Sequence, residues 1–332
     1  MTASLGAAAP TETHGRRMMV IWNPSAGLPT ALRPGGSVDD LSEILERHGV
    51  KAEVHEPADE AEARAIVRQA VSDGVDVVVA AGGDGTVHLV AEDLLGTETA
   101  LGILPLGRVM NIARALGIER DVDAAADVLR DGEIRAIDTG EATGPDGRVV
   151  PFFEAGSVGL NAAIFREVTR ADQGDPLSIA RTLWVALRYR PARMIVELDD
   201  ETITTRALMV AVSNGPYLGL GMTVAPGARL DDGKFDVRVF RRFSKWELLR
   251  HLASIAFGRR RYAPQVTTHR SSTVRITSSH PLPARADSED LRETPVTYTT
   301  RPGSLRVVVP RTPPPTQSTT DSSTDGSVRR RM

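Results

Sequence analysis

The chain contains no cysteine, which excludes disulfide scaffolds, thiolate zinc sites and cysteine nucleophiles, and leaves the redox compartment open, with cytoplasm the expectation. No apolar run approaches the ~20 residues needed to cross a bilayer; the longest candidates are short stretches such as Val77-Val78-Val79-Ala80-Ala81. Residues 1–15 have neither a basic start nor an apolar segment, so no secretory signal is expected. An excess of basic charge is also missing: 40 Lys+Arg against 43 Asp+Glu leave a net charge of −3, which argues against nucleic acid as a partner. The only Gly-Lys pair, Gly233-Lys234, is followed by Phe235, and no G-x-G-x-x-G follows an early strand, so P-loop and dinucleotide fingerprints are absent. The seven histidines show no H-E-x-x-H or other paired metal spacing and read as ordinary. There is no internal repeat.

What is present is the composition of a globular protein, with 41% hydrophobic and 25% charged residues, and 332 residues suggest two domains. From Arg17 to Asp138, short β-branched runs alternate with amphipathic stretches, the signature of βαβ units and a parallel sheet. Strands are predicted at Met18–Trp22, Lys51–His55, Val75–Ala81, Ala100–Leu104 and Ile134–Glu141, with Val75–Ala81 in mid-sheet. Helices are predicted at Asp39–Arg47, Ala61–Val71 and Val87–Leu95, and from a cap at Asp121 to Arg130. After Gly140 longer strands with turn signals predict a mainly β domain. They include Met194–Leu198, Thr202–Ser213, Val274–Ile276, Val296–Tyr298 and Leu305–Val309, interrupted by helices at Leu177–Tyr189 and Ser244–Phe257. The division expected is a flexible N-terminus 1–16, an α/β domain 17–138, a β domain 139–310 whose last strands return to the first, and a tail 311–332. That tail, rich in Pro, Ser and Thr, is expected to be disordered.

Gly82-Gly83-Asp84-Gly85-Thr86 lies where a buried strand ends and a helix begins. Its three glycines allow a tight turn, and free N–H groups with the positive end of a helix suit a phosphate. A carboxylate beside such a turn is repulsive unless a divalent cation or an attacking hydroxyl lies between, so Asp84 suggests metal-assisted phosphoryl transfer. The bland alternative is a glycine turn in which Asp84 and Thr86 merely cap a helix.

This loop resembles the nucleotide loop of the diacylglycerol kinase and sphingosine kinase superfamily, and the resemblance to its bacterial lipid kinases extends over Arg17–Pro310. Asn23-Pro24-Ser25-Ala26-Gly27 looks like the opening Asn-Pro loop of that family. Leu104-Pro105-Leu106-Gly107 with Ala113-Arg114-Ala115-Leu116-Gly117 looks like its third motif. Val212-Ser213-Asn214-Gly215, Tyr217, Gly219, Gly221-Met222, Ala225-Pro226, Ala228 and Asp231-Asp232-Gly233 through Asp236-Val237 match in the β domain.

The resemblance implies an N-terminal α/β domain of phosphofructokinase type and a C-terminal β-sandwich, with ATP and a lipid meeting in the cleft between them. ATP would be held by Asn23, Pro24, Ser25, Gly82, Gly83, Asp84, Gly85, Thr86, Gly107, Arg108 and Asn111. In Arg285-Ala286-Asp287-Ser288-Glu289, Asp287 takes the place of the general base for the lipid hydroxyl, and Glu289 joins it and Asp84 as an expected catalytic residue. Asp232, with the carbonyls of Phe235 and Val237, looks like a structural Mg²⁺ site, whereas the catalytic Mg²⁺ would ride on ATP. Read without the resemblance, Asp287, Glu289 and Asp290 form an acidic surface loop, and Asp231-Asp232-Gly233 a turn.

The chain departs from the family pattern at Gly107-Arg108-Val109-Met110-Asn111, at Asn161 and at Ser288. Gly tolerates φ > 0 where Ser is penalised by roughly 1 kcal/mol or more, so the loop at Ser288 is expected to be set differently. Diacylglycerol is the default acceptor. An NAD kinase-like soluble enzyme, or a catalytically weak nucleotide- or lipid-binding regulator, remain open, while a lipase elbow at Ala155–Gly159 with His251 or His269 is poorly supported. Peripheral contact with the inner face of a membrane is expected. Ser244–Phe257, flanked by Arg241-Arg242 and Arg259-Arg260-Arg261, reads first as a helix packed on the sandwich with solvated arginines, and second as a helix on anionic lipid. A homodimer is carried as an expectation that no sequence feature encodes.

Overall fold

The computed structural model describes residues 15–24, 37–172, 178–218, 221–241 and 266–311. Strands β1 (Met18–Trp22), β2 (Ala52–His55), β3 (Val77–Gly82) and β4 (Ala100–Pro105) form a parallel sheet in the order β2-β1-β3-β4. Every residue of β3 and β4 is buried, as strands covered on both faces must be. The helices between and after them are α1 (Val38–Arg47), α2 (Glu60–Ser72), α3 (Asp84–Leu94), α4 (Asn111–Ala115) and α5 (Val122–Asp131).

Three of these helices start on side-chain caps. The Ser37 hydroxyl and Asp40 form a reciprocal box at α1, Asp59 accepts from the Glu62 N–H at α2, and Asp121 accepts from the Ala124 N–H at α5. Helix α3 is different, because its cap residue is Gly83 and no side chain bonds its first turn. From β1 the chain winds outward to β2, then crosses back to β3 on the other side. Right-handed crossovers therefore place α1 with α5 on one face and α2 with α3 on the other. The winding reverses between β1 and β3, and a crevice opens outside their carboxyl ends.

The remainder comprises β5 (Glu133–Thr143), β6 (Val149–Phe152), β7 (Ala155–Gly159), α6 (Leu160–Asp172), α7 (Ser178–Arg188), β8 (Ala192–Glu197), β9 (Thr202–Ala207) and β10 (Met209–Ser213). After them come β11 (Tyr217–Leu218), β12 (Met222–Thr223), β13 (Phe235–Phe240), β14 (Val266–Ser271), β15 (Thr273–Ser278), β16 (Pro283–Ala286), β17 (Glu289–Glu293) and β18 (Val296–Val309). The parallel sheet continues as β4-β18-β15-β8-β9, with β5 beside β18 and β6 beside β5, while β14-β13-β10-β7-β16-β17 form a second sheet. Between the two sheets lies a core of Phe152, Met194, Val196, Val274, Ile276 and Tyr298 against Val158, Val210, Val212, Phe235 and Val237. The fold is thus an α/β domain joined to a β-sandwich.

Three expectations for single elements are corrected. Thr202–Ser213 is not one strand: it breaks at Leu208 into β9 and β10, which belong to different sheets, because the chain turns a corner of the sandwich there. Val296–Tyr298 and Leu305–Val309 are the two ends of one strand, β18, which pairs with β5 throughout and shifts register between Arg301 and Leu305. Helix α6 had no counterpart among the predicted elements. The Ser244–Phe257 helix, its flanking arginines from Arg242 onward, His251, and residues 312–332 of the tail lie outside the described residues.

Candidate active site

Two loops meet at the crevice. The first runs from β3 into α3, where Asp84, Gly85 and Thr86 form the first helical turn; the second joins β4 to α4 through Gly107–Met110. Asp84 links them: one carboxylate oxygen accepts the Met110 N–H and the other the Asn111 N–H, each at 2.9 Å. Met110 is held in the left-handed region, at φ 54° and ψ 51°. The anion that demanded a partner in the sequence thus finds one in two backbone donors that open α4. The loops touch at Gly107, where a Cβ would lie 2.6 Å from the Gly83 Cα and 2.8 Å from the Met110 sulfur. Thr86 is buried below this contact, with its hydroxyl unpartnered.

Asn23 and Pro24 stand exposed at the carboxyl end of β1, where the Asn23 N–H donates to the Ala81 carbonyl at 3.0 Å. Ser25 lies outside the described residues. Arg108 is exposed on the rim of the second loop, and Gly107 and Asn111 are buried beneath it. Asn23-Pro24, the glycine loop and Gly107–Asn111 therefore share one edge of the sheet, as their order in the sequence suggests.

Beside them lies a cluster of charged side chains. The buried Asp287 sits in the turn between β16 and β17, and the N–H groups of Phe153, Glu154 and Ala155 converge on its carboxylate, at 2.6 Å from Phe153 and 2.9 Å from Ala155. The positive φ of this turn falls on Asp287, at 45°, and not on Ser288. Ser288 therefore carries no left-handed penalty, which corrects the expectation; Asp is among the residues that enter this region most readily. Glu289 does not join the cluster. Its side chain is 42% exposed and pairs with Arg148 at 2.7 Å.

Two members of the cluster were missed in the sequence. Glu154 accepts the Asn111 side-chain amide at 2.7 Å, and its other oxygen lies 3.5 Å from His88 Nε2. The His88 Nδ1 is 3.8 Å from Asp287. Burial works against charge on the His88 ring, yet Glu154 and Asp287, with Asp84 behind them, outweigh it and hold its pKa up at about 9. Burial likewise pushes the Glu154 carboxyl above the ordinary carboxylate range, opposed by His88. Two signals pointed this way: a lone acid inside the apolar run Phe152-Phe153-Glu154-Ala155, and a histidine one helical turn after Asp84.

The Asp232 carboxylate is engaged by protein groups in this structure. The Arg270 guanidinium already sits on the Asp232 carboxylate, and the Lys234 N–H donates to its other oxygen. The carbonyls of Phe235 and Val237 belong to β13, an inner strand flanked by β10 and β14. Among the described residues, no group of three His, Asp or Glu side chains is arranged to hold a metal ion. The lipase elbow fares no better, since Ser157 is buried in β7 and donates to Asn161 at 2.8 Å, three strands away from His269.

Residues 17–142 match the model of the diacylglycerol kinase catalytic domain, and residues 157–309 that of the YegS C-terminal NAD kinase beta sandwich-like domain. A protein named diacylglycerol kinase from Mycobacterium tuberculosis is 27% identical over 299 residues, covering 89% of this chain and 96% of the relative. One from Pseudomonas aeruginosa, named "Probable lipid kinase YegS-like", is 30% identical over 258 residues, covering 76% and 82%. The crystal structure of a diacylglycerol kinase from Bacillus anthracis superimposes with a TM-score of 0.67 at 17% identity, over 89% of this chain and 97% of that one, and so shares the fold. With both halves matched in order and the sandwich closing over the two loops, the chain belongs to the diacylglycerol kinase and YegS-like family of lipid kinases.

Proposed function

We propose that the protein transfers the γ-phosphoryl group of ATP·Mg²⁺ to the hydroxyl of diacylglycerol or a similar lipid alcohol. The observation that carries this reading is the pair of loops tied by Asp84 at the sheet's switch point, facing a buried carboxylate pair, Asp287 and Glu154, across the cleft to the sandwich. The uncapped first turn of α3, the backbone of Gly82–Thr86 and the exposed Arg108 are suited to the phosphates. Mg²⁺ belongs to the nucleotide in this reading and neutralises charge on the transferring group. The acceptor oxygen bonds to the γ-phosphorus as the bond to the bridging oxygen breaks; the electron pair leaves on ADP and the hydroxyl proton passes to the carboxylate pair.

A lipid acceptor also requires an approach to a membrane surface. On α7, Trp184 is 58% exposed with the Arg188 guanidinium 5.1 Å from its ring centre, and Val168 on α6 is exposed as well. An exposed aromatic beside a cation suits the interface of an anionic membrane.

The test is transfer of labelled γ-phosphate from ATP·Mg²⁺ into a panel of lipid alcohols in mixed micelles, with NAD as a parallel acceptor. Label in one or more lipids, and none in NAD, is the expected result. Label in NAD would replace the lipid reading, and ATP binding without any label would favour a regulatory protein.

A further inference from the structure

We propose that Arg285 is a positioning residue for phosphoryl transfer: seated beneath Phe165 of α6, it fixes the turn that presents Asp287 and supplies the buried cation that allows Asp287 and Glu154 to share one site. The proposal rests on the kinase reading above and deepens it, by naming what holds its carboxylate pair together.

Ala284 and Ala286 of β16 belong to the core between the two sheets. Alternation along the strand therefore sends Arg285 to the outer face of its sheet, against α6. There Arg285 is 5% exposed. Its guanidinium carbon lies 3.6 Å from the centre of the Phe165 ring, and one terminal nitrogen donates to the Asp287 carbonyl. A planar cation can stack on a ring with its face while it donates at its edge, which the ammonium of a lysine cannot do.

Asp287 needs such a hold. It opens a two-residue turn between the paired Ala286 and Glu289, with its φ of 45° in the left-handed region that side chains enter at a cost. Its N–H donates to the Ala155 carbonyl at 3.0 Å, its carboxylate accepts the N–H groups of Phe153 through Ala155, and its carbonyl accepts from Arg285. The first two contacts tie Asp287 to the segment between β6 and β7, and the third ties it to α6 by way of Phe165. Arg166, the next residue of α6, grips the other strand of the same hairpin. Its guanidinium meets both carboxylate oxygens of Asp290, at 2.7 and 2.8 Å, and also donates to the Arg292 carbonyl. Consecutive residues of one helix thus hold both strands that flank the turn.

Charge explains why the group beneath Phe165 is an arginine and not a neutral donor. Two carboxylates brought together out of water disfavour their joint ionisation, and His88 supplies one neighbouring cation. Arg285 is the second, so two anions face two cations. Burial lowers the Arg285 pKa, opposed first by Asp287 and then by Glu154, so each partner offsets the cost of burying the other.

The experiment measures label transfer from ATP·Mg²⁺ into dioctanoylglycerol micelles, as kcat and as the KM of each substrate, with urea unfolding as the check on the fold. Arg285→Met should lower kcat by about 10²-fold, as a displacement of about 1 Å does, and leave both KM values within about threefold. Arg285→Lys keeps the charge without the stacked plane and should recover about tenfold of that loss. Because Arg285 acts through the Asp287 carboxylate, adding Arg285→Met to Asp287→Asn should lower kcat by less than about threefold more, whereas a purely structural role gives the same factor in both backgrounds. Phe165→Leu should lower kcat about tenfold, while Phe165→Tyr, which keeps the ring, stays within about threefold of the wild type. This arm reads the proposal even if Arg285→Met fails to fold. A kcat within about threefold of the wild type in Arg285→Met, an equal loss in the two backgrounds, or a change confined to KM overturns the proposal. A wild-type chain that labels no lipid overturns the kinase reading, and the proposal with it.

Discussion

Asp84→Ala should lower label transfer by two orders of magnitude or more while weakening the fold. The alanine cannot accept the N–H groups of Met110 and Asn111, now held at 2.9 Å by a carboxylate. Hydrogen bonds to a charged group contribute about 1.5–3 kcal/mol each. They also hold Met110 in a left-handed conformation that costs about 1–2 kcal/mol. Without them the second loop relaxes, Asn111 shifts, and Glu154 loses its amide partner. Displacing a catalytic constellation by about 1 Å can cost about 10²-fold in rate. Asp84→Asn retains one acceptor and should lose roughly half as much stability. Urea unfolding and label transfer measure the two effects. An Asp84→Ala chain with wild-type transfer would show that the link between the loops is dispensable.

Gly107→Ala should be nearly as damaging, for a reason of space. Its added methyl would lie 2.6 Å from the Gly83 Cα, where an ordinary contact begins at about 3.4 Å, and backbone cannot swing aside as a side chain end can. The two loops must separate, so ATP affinity should fall at least about tenfold and kcat/KM by about 10²-fold, with about 1–3 kcal/mol of stability lost to overpacking. Gly85→Ala supplies the contrast. Nothing lies within 4 Å of the added methyl, and the site is in the first turn of α3. Alanine is the better helix former by up to about 1 kcal/mol, so that variant should fold at least as well. If phosphate approaches the Gly85 backbone, ATP affinity alone should suffer. Equal ATP affinity for the wild type, Gly107→Ala and Gly85→Ala would remove the nucleotide from this edge of the sheet.

The sequence revealed most where structure is local and periodic. The apolar run at Val77–Ala81, the cap Asp121, and the glycine-rich strand-to-helix turn each depend on neighbours within a few residues. The carboxylate cluster was less legible, because Phe153 and Asp287 are 134 residues apart and no periodicity relates them. Resemblance brought Asp287 into view but not the residues that surround it. His88 was passed over as ordinary because its role comes from Glu154 and Asp287, which reach it from other elements. Asp232 shows the same limit: a turn next to a strand is readable, whereas the arrival of Arg270 from β14 is not. The left-handed residue of the β16–β17 turn was placed one position too late, since the fold and not the local sequence fixes which residue carries it.

Strand β18 lies beside β4 at Val307 and beside β15 from Val296 to Thr299, while β5 accompanies it along both stretches. At the register shift between them, the buried Asp138 accepts the Gly303 N–H at 2.8 Å and the Gly233 N–H at 2.6 Å, tying in the turn that precedes β13. The two halves of the molecule are thus stitched by a shared ribbon and not strung on a linker, so neither can swing as a rigid jaw without tearing the ladder. Such a protein keeps its cleft at a fixed aperture and surrenders its structure cooperatively. Access for a greasy substrate then depends on rearrangements of side chains and loops at the mouth of the cleft.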